Sequence, residues 1–191
     1  MNKRKAILTA MVIAATAASA SAQDAAVSAN LLGLADLGTM GADVSAAVSR
    51  RVTADAGICY NPWTFTRGGS IVQDRRRQVS AGVSLWPWHV LTGIHLGAGV
   101  QWREYNRGGL LSPSAEEGDA FGIYAEAGIS RMIHHRWNIS ASAGAWAGRR
   151  SWTSYSCPVC GRITGGGTGP FVEPARFRIS VDYIIRTRRE K

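Results

Sequence analysis

Alternation of apolar and polar residues is the sequence feature that most constrains what this chain can fold into. Between positions 93 and 103 the even residues are apolar and the odd ones are polar or glycine, and from 177 to 183 the odd residues are the apolar ones. A β-strand points successive side chains to opposite faces, so a period of two builds a sheet with one apolar and one polar face. The pattern therefore predicts an all-β chain.

Eight segments follow this pattern, and turn-rich segments connect them. Three connections, at 50–51, 87–92 and 133–136, are short, whereas 61–76, 106–119 and 151–175 are long and rich in Gly, Ser and Pro. Short turns at one end and longer loops at the other are typical of an antiparallel up-and-down transmembrane β-barrel with both termini in the periplasm. The predicted strands are 25–34, 41–50, 52–60, 77–86, 93–105, 120–132, 137–149 and 176–185.

Aromatic residues fit the same interpretation, because Trp and Tyr collect at the two water–lipid boundaries of a barrel. Those predicted at the outer end are Tyr60, Trp63, Trp102, Tyr105, Phe121 and Phe177, and those at the periplasmic end are Trp86, Trp88, Trp137 and Tyr183. The competing interpretation is a secreted water-soluble barrel or sandwich, whose polar face meets solvent. Such a face should be crowded with Lys and Glu, whereas here it is mostly Gly, Ser and Thr.

The N-terminus has the sections of a secretory signal peptide. Three basic residues, Lys3 to Lys5, precede an apolar run from Ala6 to Ala18 and then the small residues Ala20-Ser21-Ala22. We expect cleavage before Gln23, which divides the chain into a signal peptide at 1–22 and an outer-membrane β-barrel domain at 23–191. The barrel would then depend on periplasmic chaperones and the barrel-insertion machinery.

Positive charge in the predicted mature chain comes almost entirely from arginine. The whole chain carries a formal +9, and residues 23–191 have 19 basic and 13 acidic side chains, with Lys191 as the one lysine. Nucleic acid is a poor candidate partner for an exported protein, whereas outer-membrane lipids and lipopolysaccharide phosphates suit the forked donors of arginine. The arginines expected there are Arg75, Arg76, Arg77, Arg149 and Arg150. An ordinary solvated rim is the alternative.

The polar face supplies a set of charged and hydrogen-bonding residues predicted to fill the lumen. An eight-stranded barrel is just wide enough for side chains to fill it, so we expect these groups to pair with one another or with trapped water. A proton or ion path is the alternative, because charges inside a membrane are functional candidates. The predicted lumen set is Asp43, Asp55, His95, Gln101, Arg103, Glu126, Arg178 and Asp182.

Cys157 and Cys160 form the one local motif with chemical potential. Exported cysteines tend to pair, which favours a disulfide between them that pins the long outer loop. One alternative is a metal site shared with ligands from elsewhere, because tetrahedral zinc needs four ligands and the loop supplies only two. The other is a pair of free or redox-active thiols. Cys59 is predicted to be a buried thiol. No cofactor is predicted.

The four histidines bear on whether the chain is an enzyme. His89, His95, His134 and His135 fall in the predicted lumen or near the periplasmic turns. A barrel-type hydrolase needs a histidine near its outer rim to activate a serine or a water. We therefore predict no catalytic residue.

Three segments carry a resemblance to a known family. They are Tyr60-Asn61-Pro62-Trp63-Thr64-Phe65, the knuckle Cys157-Pro158-Val159-Cys160-Gly161 followed by Gly165 to Gly167, and the ending Ile179-Ser180 with Tyr183-Ile184-Ile185. The chain resembles a Bacteroidales family of small outer-membrane β-barrels known as a domain of unknown function. The resemblance implies an outer-membrane location and an eight-stranded barrel, and it brings no activity and no catalytic residue. Cys59 and the basic tail at 186–191 differ from the usual pattern.

Taken together, these features favour a non-enzymatic integral outer-membrane barrel with a structural or surface-recognition role, carried by its long outer loops. An outer-membrane lipid-modifying enzyme and a narrow ion or proton conductor are the alternatives.

Overall fold

The computed structural model describes residues 24–35, 38–67, 70–109, 114–159, 161–174 and 177–186. The predicted signal peptide, 1–22, and the basic tail beyond Arg186 lie outside this range. Within it the chain forms ten β-strands and one short helix. In chain order these are β1 Asp24–Asn30, α1 Leu31–Ala35, β2 Met40–Ser49, β3 Val52–Asn61, β4 Thr64–Arg67, β5 Ser70–Leu85, β6 Gly93–Gly108, β7 Ala115–His134, β8 Trp137–Tyr155, β9 Ile163–Glu173 and β10 Arg178–Arg186.

All strand pairings are antiparallel, and they close on themselves. The strands follow one another in the order β1, β2, β3, β5, β6, β7 and β8, and β10 pairs with both β8 and β1. The remaining two strands add to long neighbours: β4 pairs with the start of β5, and β9 pairs with the second half of β8. The result is a ring of strands with a taller wall on the side of β5 to β9.

The predicted long loops are largely strand, which is where the structure differs from the eight predicted segments. β4 lies within 61–76, β9 lies within 151–175, and β5, β6, β7 and β8 reach 16, 16, 20 and 19 residues. Polar cross-strand pairs join these extensions, such as Asn106 with Glu117 at 3.1 Å and Arg107 with Glu116 at 3.1 Å. Such pairs stabilise a sheet that has no apolar alternation. Because these strand extensions are polar, their composition resembles that of loops.

The first predicted strand ends early because Asn30 caps a helix. Its side-chain oxygen accepts a hydrogen bond from the backbone N–H of Gly33 at 3.3 Å, as an N-cap asparagine does. The five residues of α1 therefore replace the end of the strand predicted at 25–34. In the part of the chain that the structure describes, no helix has the length and apolar character needed to cross a membrane.

The two faces of the ring have opposite character, as the alternation predicts. On the outer face, apolar residues pair across five neighbouring strands, and Val83 and Ile123 are 55% and 68% exposed. On the inner face, the polar Thr53 and Gln101 are 0% and 1% exposed. Three successive outer rows from β3 to β8 are Val52, Leu85, Leu96, Ala127 and Ala143; Ala54, Val83, Ala98, Ala125 and Ala145; and Ala56, Ala81, Val100, Ile123 and Ala147.

Inner-face glycines provide the space that the buried large side chains occupy. A Cβ at Gly82 would lie 2.3 Å from the hydroxyl of Tyr124, and one at Gly144 would lie 2.6 Å from the Cβ of Glu126. Small and large residues therefore alternate across neighbouring strands, and side chains pack closely at these levels of the interior.

An apolar cluster closes the ring at the end where β5 turns into β6. Trp86, Val90 and Leu91 pack there with residues from the first and last strands, and the Leu91 carbonyl accepts hydrogen bonds from Ser130 and Asn138 at 3.2 and 2.5 Å. Trp86 and Tyr105, predicted as boundary aromatics, are both 5% exposed and lie inside the ring. Trp88 and Trp137 are exposed at this end, as predicted.

Candidate functional site

Three of the predicted lumen residues form an ion-paired cluster in the middle of the ring. The guanidinium of Arg178, on β10, donates to Asp43 of β2 at 2.8 Å and to Glu126 of β7 at 2.7 Å. The Glu126 side chain is 4% exposed. The cluster joins three strands that are far apart in sequence, and it neutralises carboxylates that would be costly to bury alone.

Two further predicted residues border this cluster. Asp55 accepts hydrogen bonds from Ser84 at 2.6 Å and from Thr53 at 3.1 Å. The ring of His95 lies against that of Trp86, with 4.5 Å between the centroids. Their neighbours therefore hold both side chains in place.

Arg103 belongs to a second cluster nearer the tall side of the ring. It pairs with Glu173 of β9 at 2.7 Å, and its guanidinium lies over the ring of Trp146 at 4.8 Å from the centroid. Gln101 is buried on the same strand. Asp182 is buried on β10, in register with Ser28 and Asn138. The predicted set thus faces the interior as a whole but forms more than one group.

Two cavities lie inside the ring, and Arg178 and Asp43 line both. One of about 350 Å³ reaches Arg103 and the residues around α1, and one of about 60 Å³ extends toward Trp86 and Leu91. The ion pair therefore lies where the two cavities meet. The smaller cavity has room for a few water molecules beside polar groups.

Sequence reasoning missed the partners of these clusters. Glu173 was placed in a loop, so its pairing with Arg103 could not be predicted. Tyr124 and Trp146 are 5% and 1% exposed, and each shares the parity of the polar residues on its strand. That parity is the signal that could have assigned both to the interior.

A groove of about 490 Å³ crosses strands β3 and β5 to β8 near the tall end of the ring. Its side chains come from the outer face, because the inner-face residues along it, such as Asn61 and Tyr105, are 1% and 5% exposed. We call it the boundary groove, since it begins where the apolar outer rows end. The row directly beneath it is Ile58, Val79, Trp102, Phe121 and Arg149, and its own first row is Tyr60, Arg77, Glu104, Asp119 and Ser151.

Charges of both signs line the boundary groove. Arg75 and Arg77 project from β5, and Glu104 and Asp119 project from β6 and β7. Arg77 and Glu104 approach to 3.8 Å while their side chains stay 57% and 51% exposed, which is a loose pairing. All four side chains are therefore accessible to a ligand.

The five arginines predicted to meet lipid phosphates divide between the two faces. Arg75, Arg77 and Arg149 are exposed on the outer face. Arg76 is ion-paired with Asp74, and Arg150 lies 3.6 Å from Glu173 and over the ring of Trp152. The alternation along β5 and β8 explains this division, since adjacent residues point to opposite faces.

Inside the tall wall, the hydroxyl of Tyr105 donates to Glu116 at 2.9 Å, and Arg107 donates to the same carboxylate. Burial and the hydrogen bond to Glu116 raise the pKa of Tyr105 to about 12. At the boundary groove, Tyr155 donates to Glu117, and this hydrogen bond raises the pKa of Tyr155. Both tyrosines stay protonated at neutral pH.

The described cysteines and histidines other than His95 lie outside the two interior clusters and the boundary groove. Cys157 is disulfide-bonded, whereas its predicted partner Cys160 lies outside the described residues, so the pairing remains a prediction. Cys59 is a half-buried thiol on β3. His89 lies at the closed end of the ring, and the rings of His134 and His135 face each other 4.7 Å apart at the turn into β8. The described residues contain no group of His, Cys, Asp and Glu that could hold a metal ion.

Comparison with known proteins places the chain in a family. The model of one family, described as "Protein of unknown function (DUF3575)", matches residues 7–185. The chain therefore belongs to the DUF3575 family. No curated protein matches it.

Proposed function

We propose that this member of the DUF3575 family is a non-enzymatic integral outer-membrane protein, a transmembrane β-barrel of eight strands that serves a structural or surface-recognition role. The observation that carries the proposal is the contrast between the two faces of the ring. Rows of exposed apolar side chains cover the outside, while buried polar and charged residues fill the inside. A water-soluble sheet has the reverse arrangement, whereas a barrel in lipid needs this one.

The dimensions of the apolar surface support a membrane location. Along β6 the outer apolar residues run from Ile94 to Trp102, which is about 27 Å of strand at about 3.4 Å per residue. With the usual strand tilt this gives a height of about 21 Å, close to the about 25 Å of an outer-membrane barrel. The exposed Trp88 and Trp137 at one end and Tyr60 and Phe121 at the other then lie at the two boundaries.

The closed circuit of pairings supports the count of eight. It runs through β1, β2, β3, β5, β6, β7, β8 and β10, and β4 and β9 only extend its wall. A closed barrel satisfies every backbone hydrogen bond between strands, which a sheet edge in lipid would not. The predicted signal peptide at 1–22 and the resemblance to Bacteroidales outer-membrane barrels are consistent with export to that membrane and with periplasmic termini.

The tall wall supports a role in display. β5 to β9 continue beyond the boundary groove as paired strands, so the outer surface is a rigid platform that presents short tips. Rigid scaffolds that present surface segments are the usual basis of recognition. The outer-face arginines Arg75, Arg77 and Arg149 lie at the level of lipid phosphates, which include those of lipopolysaccharide.

The two alternatives have less support. Conduction would have to pass the Arg178–Asp43 pair between the cavities and then the apolar cluster around Trp86. A lipid-modifying reaction would need a base near the outer boundary, whereas the described histidines lie inside the barrel or at its periplasmic end.

Gel mobility of the membrane-extracted protein, with and without boiling, tests the proposal. We expect the unheated protein to migrate differently from the boiled one, because a closed barrel resists detergent until it is heated. The matched test is fractionation of the cell envelope, in which the protein should follow the outer membrane. Recovery in the soluble periplasmic fraction, with one mobility before and after heating, would contradict the proposal.

A further inference from the structure

The boundary groove carries an inference that rests on the proposed membrane location and goes beyond it. If the apolar outer rows contact acyl chains, the row containing Arg77, Glu104 and Asp119 lies where headgroups begin. The groove opens to the outside of the barrel, and its volume of about 490 Å³ lies in the range of small-molecule sites. At this position the boundary groove therefore faces lipid headgroups.

The charges of the groove are separated across the strands. Arg75 and Arg77 lie on β5, and Glu104 and Asp119 lie one and two strands away, which corresponds to about 5 and 10 Å. An anionic group placed against the arginines would leave the carboxylates beside it uncompensated. A ligand with a phosphate and a neighbouring amine would match both halves.

We propose that the boundary groove binds a lipid headgroup in which a phosphate is joined to a primary amine, as in phosphoethanolamine. The phosphate lies against Arg75 and Arg77, and the ammonium group lies against Glu104 and Asp119. The primary amine donates hydrogen bonds to carboxylates. The quaternary ammonium group of phosphocholine has no N–H and cannot do so. A headgroup with phosphate alone lacks the partner for the acidic half.

The loose contact between Arg77 and Glu104 agrees with this assignment. Because their charged groups are 3.8 Å apart and well exposed, this ion pair contributes little free energy, and little is lost when each side chain contacts a ligand group instead. Glu117, in the next row, is already engaged by Asn106 and Tyr155, so it supports the wall of the groove. The ligand-facing carboxylates are thus Glu104 and Asp119.

Native mass spectrometry of the full-length mature protein in mixed lipid tests the proposal. The probes are phosphatidylethanolamine, phosphatidylglycerol and phosphatidylcholine at equal concentration. We expect retained phosphatidylethanolamine to exceed each of the others by about two- to fivefold. Equal retention of the three lipids, or preference for phosphatidylglycerol, would overturn the assignment.

Charge-removing variants identify the residues. Glu104→Gln with Asp119→Asn should abolish the preference for phosphatidylethanolamine over phosphatidylglycerol. Arg75→Gln with Arg77→Gln should lower the retention of phosphatidylethanolamine and of phosphatidylglycerol by about two- to fivefold. Arg131→Gln, on the outer face near the other end, is the matched control and should change neither. An unaltered preference in the carboxylate variant would overturn the proposal. Heat-dependent gel mobility is measured for the unmodified protein and for each variant. Its absence in the unmodified protein would contradict the proposed function, and its absence in one variant would show that this variant has lost the barrel.

Discussion

At the scale of single residues, Arg178 is the shared cation of two interior carboxylates, Asp43 and Glu126. Replacing it with leucine leaves the buried Glu126 and the half-buried Asp43 without their shared cation. We expect Arg178→Leu to lower the free energy of unfolding by about 3 to 5 kcal/mol, the usual cost of breaking a buried ion pair. Urea unfolding of the folded protein in detergent measures this.

A compensating variant shows whether charge or packing is responsible. Arg178→Leu combined with Asp43→Asn and Glu126→Gln removes the cation and both anions, so most of the lost stability should return. Arg131→Leu, which removes an exposed arginine, should change the free energy of unfolding by no more than about 0.5 kcal/mol. Equal stability of Arg178→Leu and the unmodified protein would show that the cluster is not stabilising.

Residue parity made much of this interior predictable. All eight predicted lumen residues share the polar parity of their strands, and the structure places them on the inner face. The pairings themselves were not predictable, because contacts such as Arg178 with Asp43 join residues 135 positions apart. Trp86 was assigned to the boundary by its place near a strand end, although its parity agrees with an interior residue.

At the scale of strands, the extended parts of β6 and β7 depend on polar pairs that respond to pH. The pKa of Tyr105 is raised to about 12, above its ordinary value of 10. The stability that this hydroxyl contributes is therefore complete below pH 10 and is lost as pH rises through about 12. Ultraviolet titration should show a late tyrosinate step that is missing in Tyr105→Phe.

Glu116→Gln isolates the cause of this shift. It removes the charge that accepts from Tyr105 and keeps the side-chain size, so the late step should move toward lower pH. If Tyr105→Phe instead removes a tyrosinate step near pH 10, Tyr105 is not buried and hydrogen-bonded as described.

The strands that the sequence revealed are those whose outer face is apolar. β2, β3 and the ring portions of β5 to β8 follow that pattern. β4 has only four residues, and β9 and the extensions replace apolar residues with glycine and charge. β9 begins Ile-Thr-Gly-Gly-Gly-Thr-Gly, a composition typical of loops, and it forms a strand because β8 offers a long edge. Tertiary pairing of this kind is absent from any local pattern.

At the scale of the whole molecule, Ala98 tests which solvent surrounds the ring of strands. It lies on β6 in the middle of the outer apolar rows. In lipid, Ala98→Arg should cost about 2 to 4 kcal/mol of free energy of unfolding, as charges near the bilayer midplane do. The measurement is unfolding of the protein refolded in phospholipid vesicles.

Ala98→Leu is the matched variant at the same site. It should stay within about 0.5 kcal/mol of the unmodified protein in vesicles, because it adds only apolar surface. The reverse order, with arginine tolerated and leucine destabilising, would indicate that the outer face meets water. Gly99, the inward neighbour, is unsuitable as a control, since a Cβ there would lie 2.2 Å from the carbonyl oxygen of Ala81.

The pairing of β1 with β10 sets the order in which the molecule is completed. Asp24 lies opposite Arg186, so this pairing joins two segments that are far apart in the chain. While β10 is not yet in place, β1 has one edge without a partner strand, and that edge is open to wrong pairings. Closing the ring therefore requires a contact of long range, and contacts of that kind form slowly.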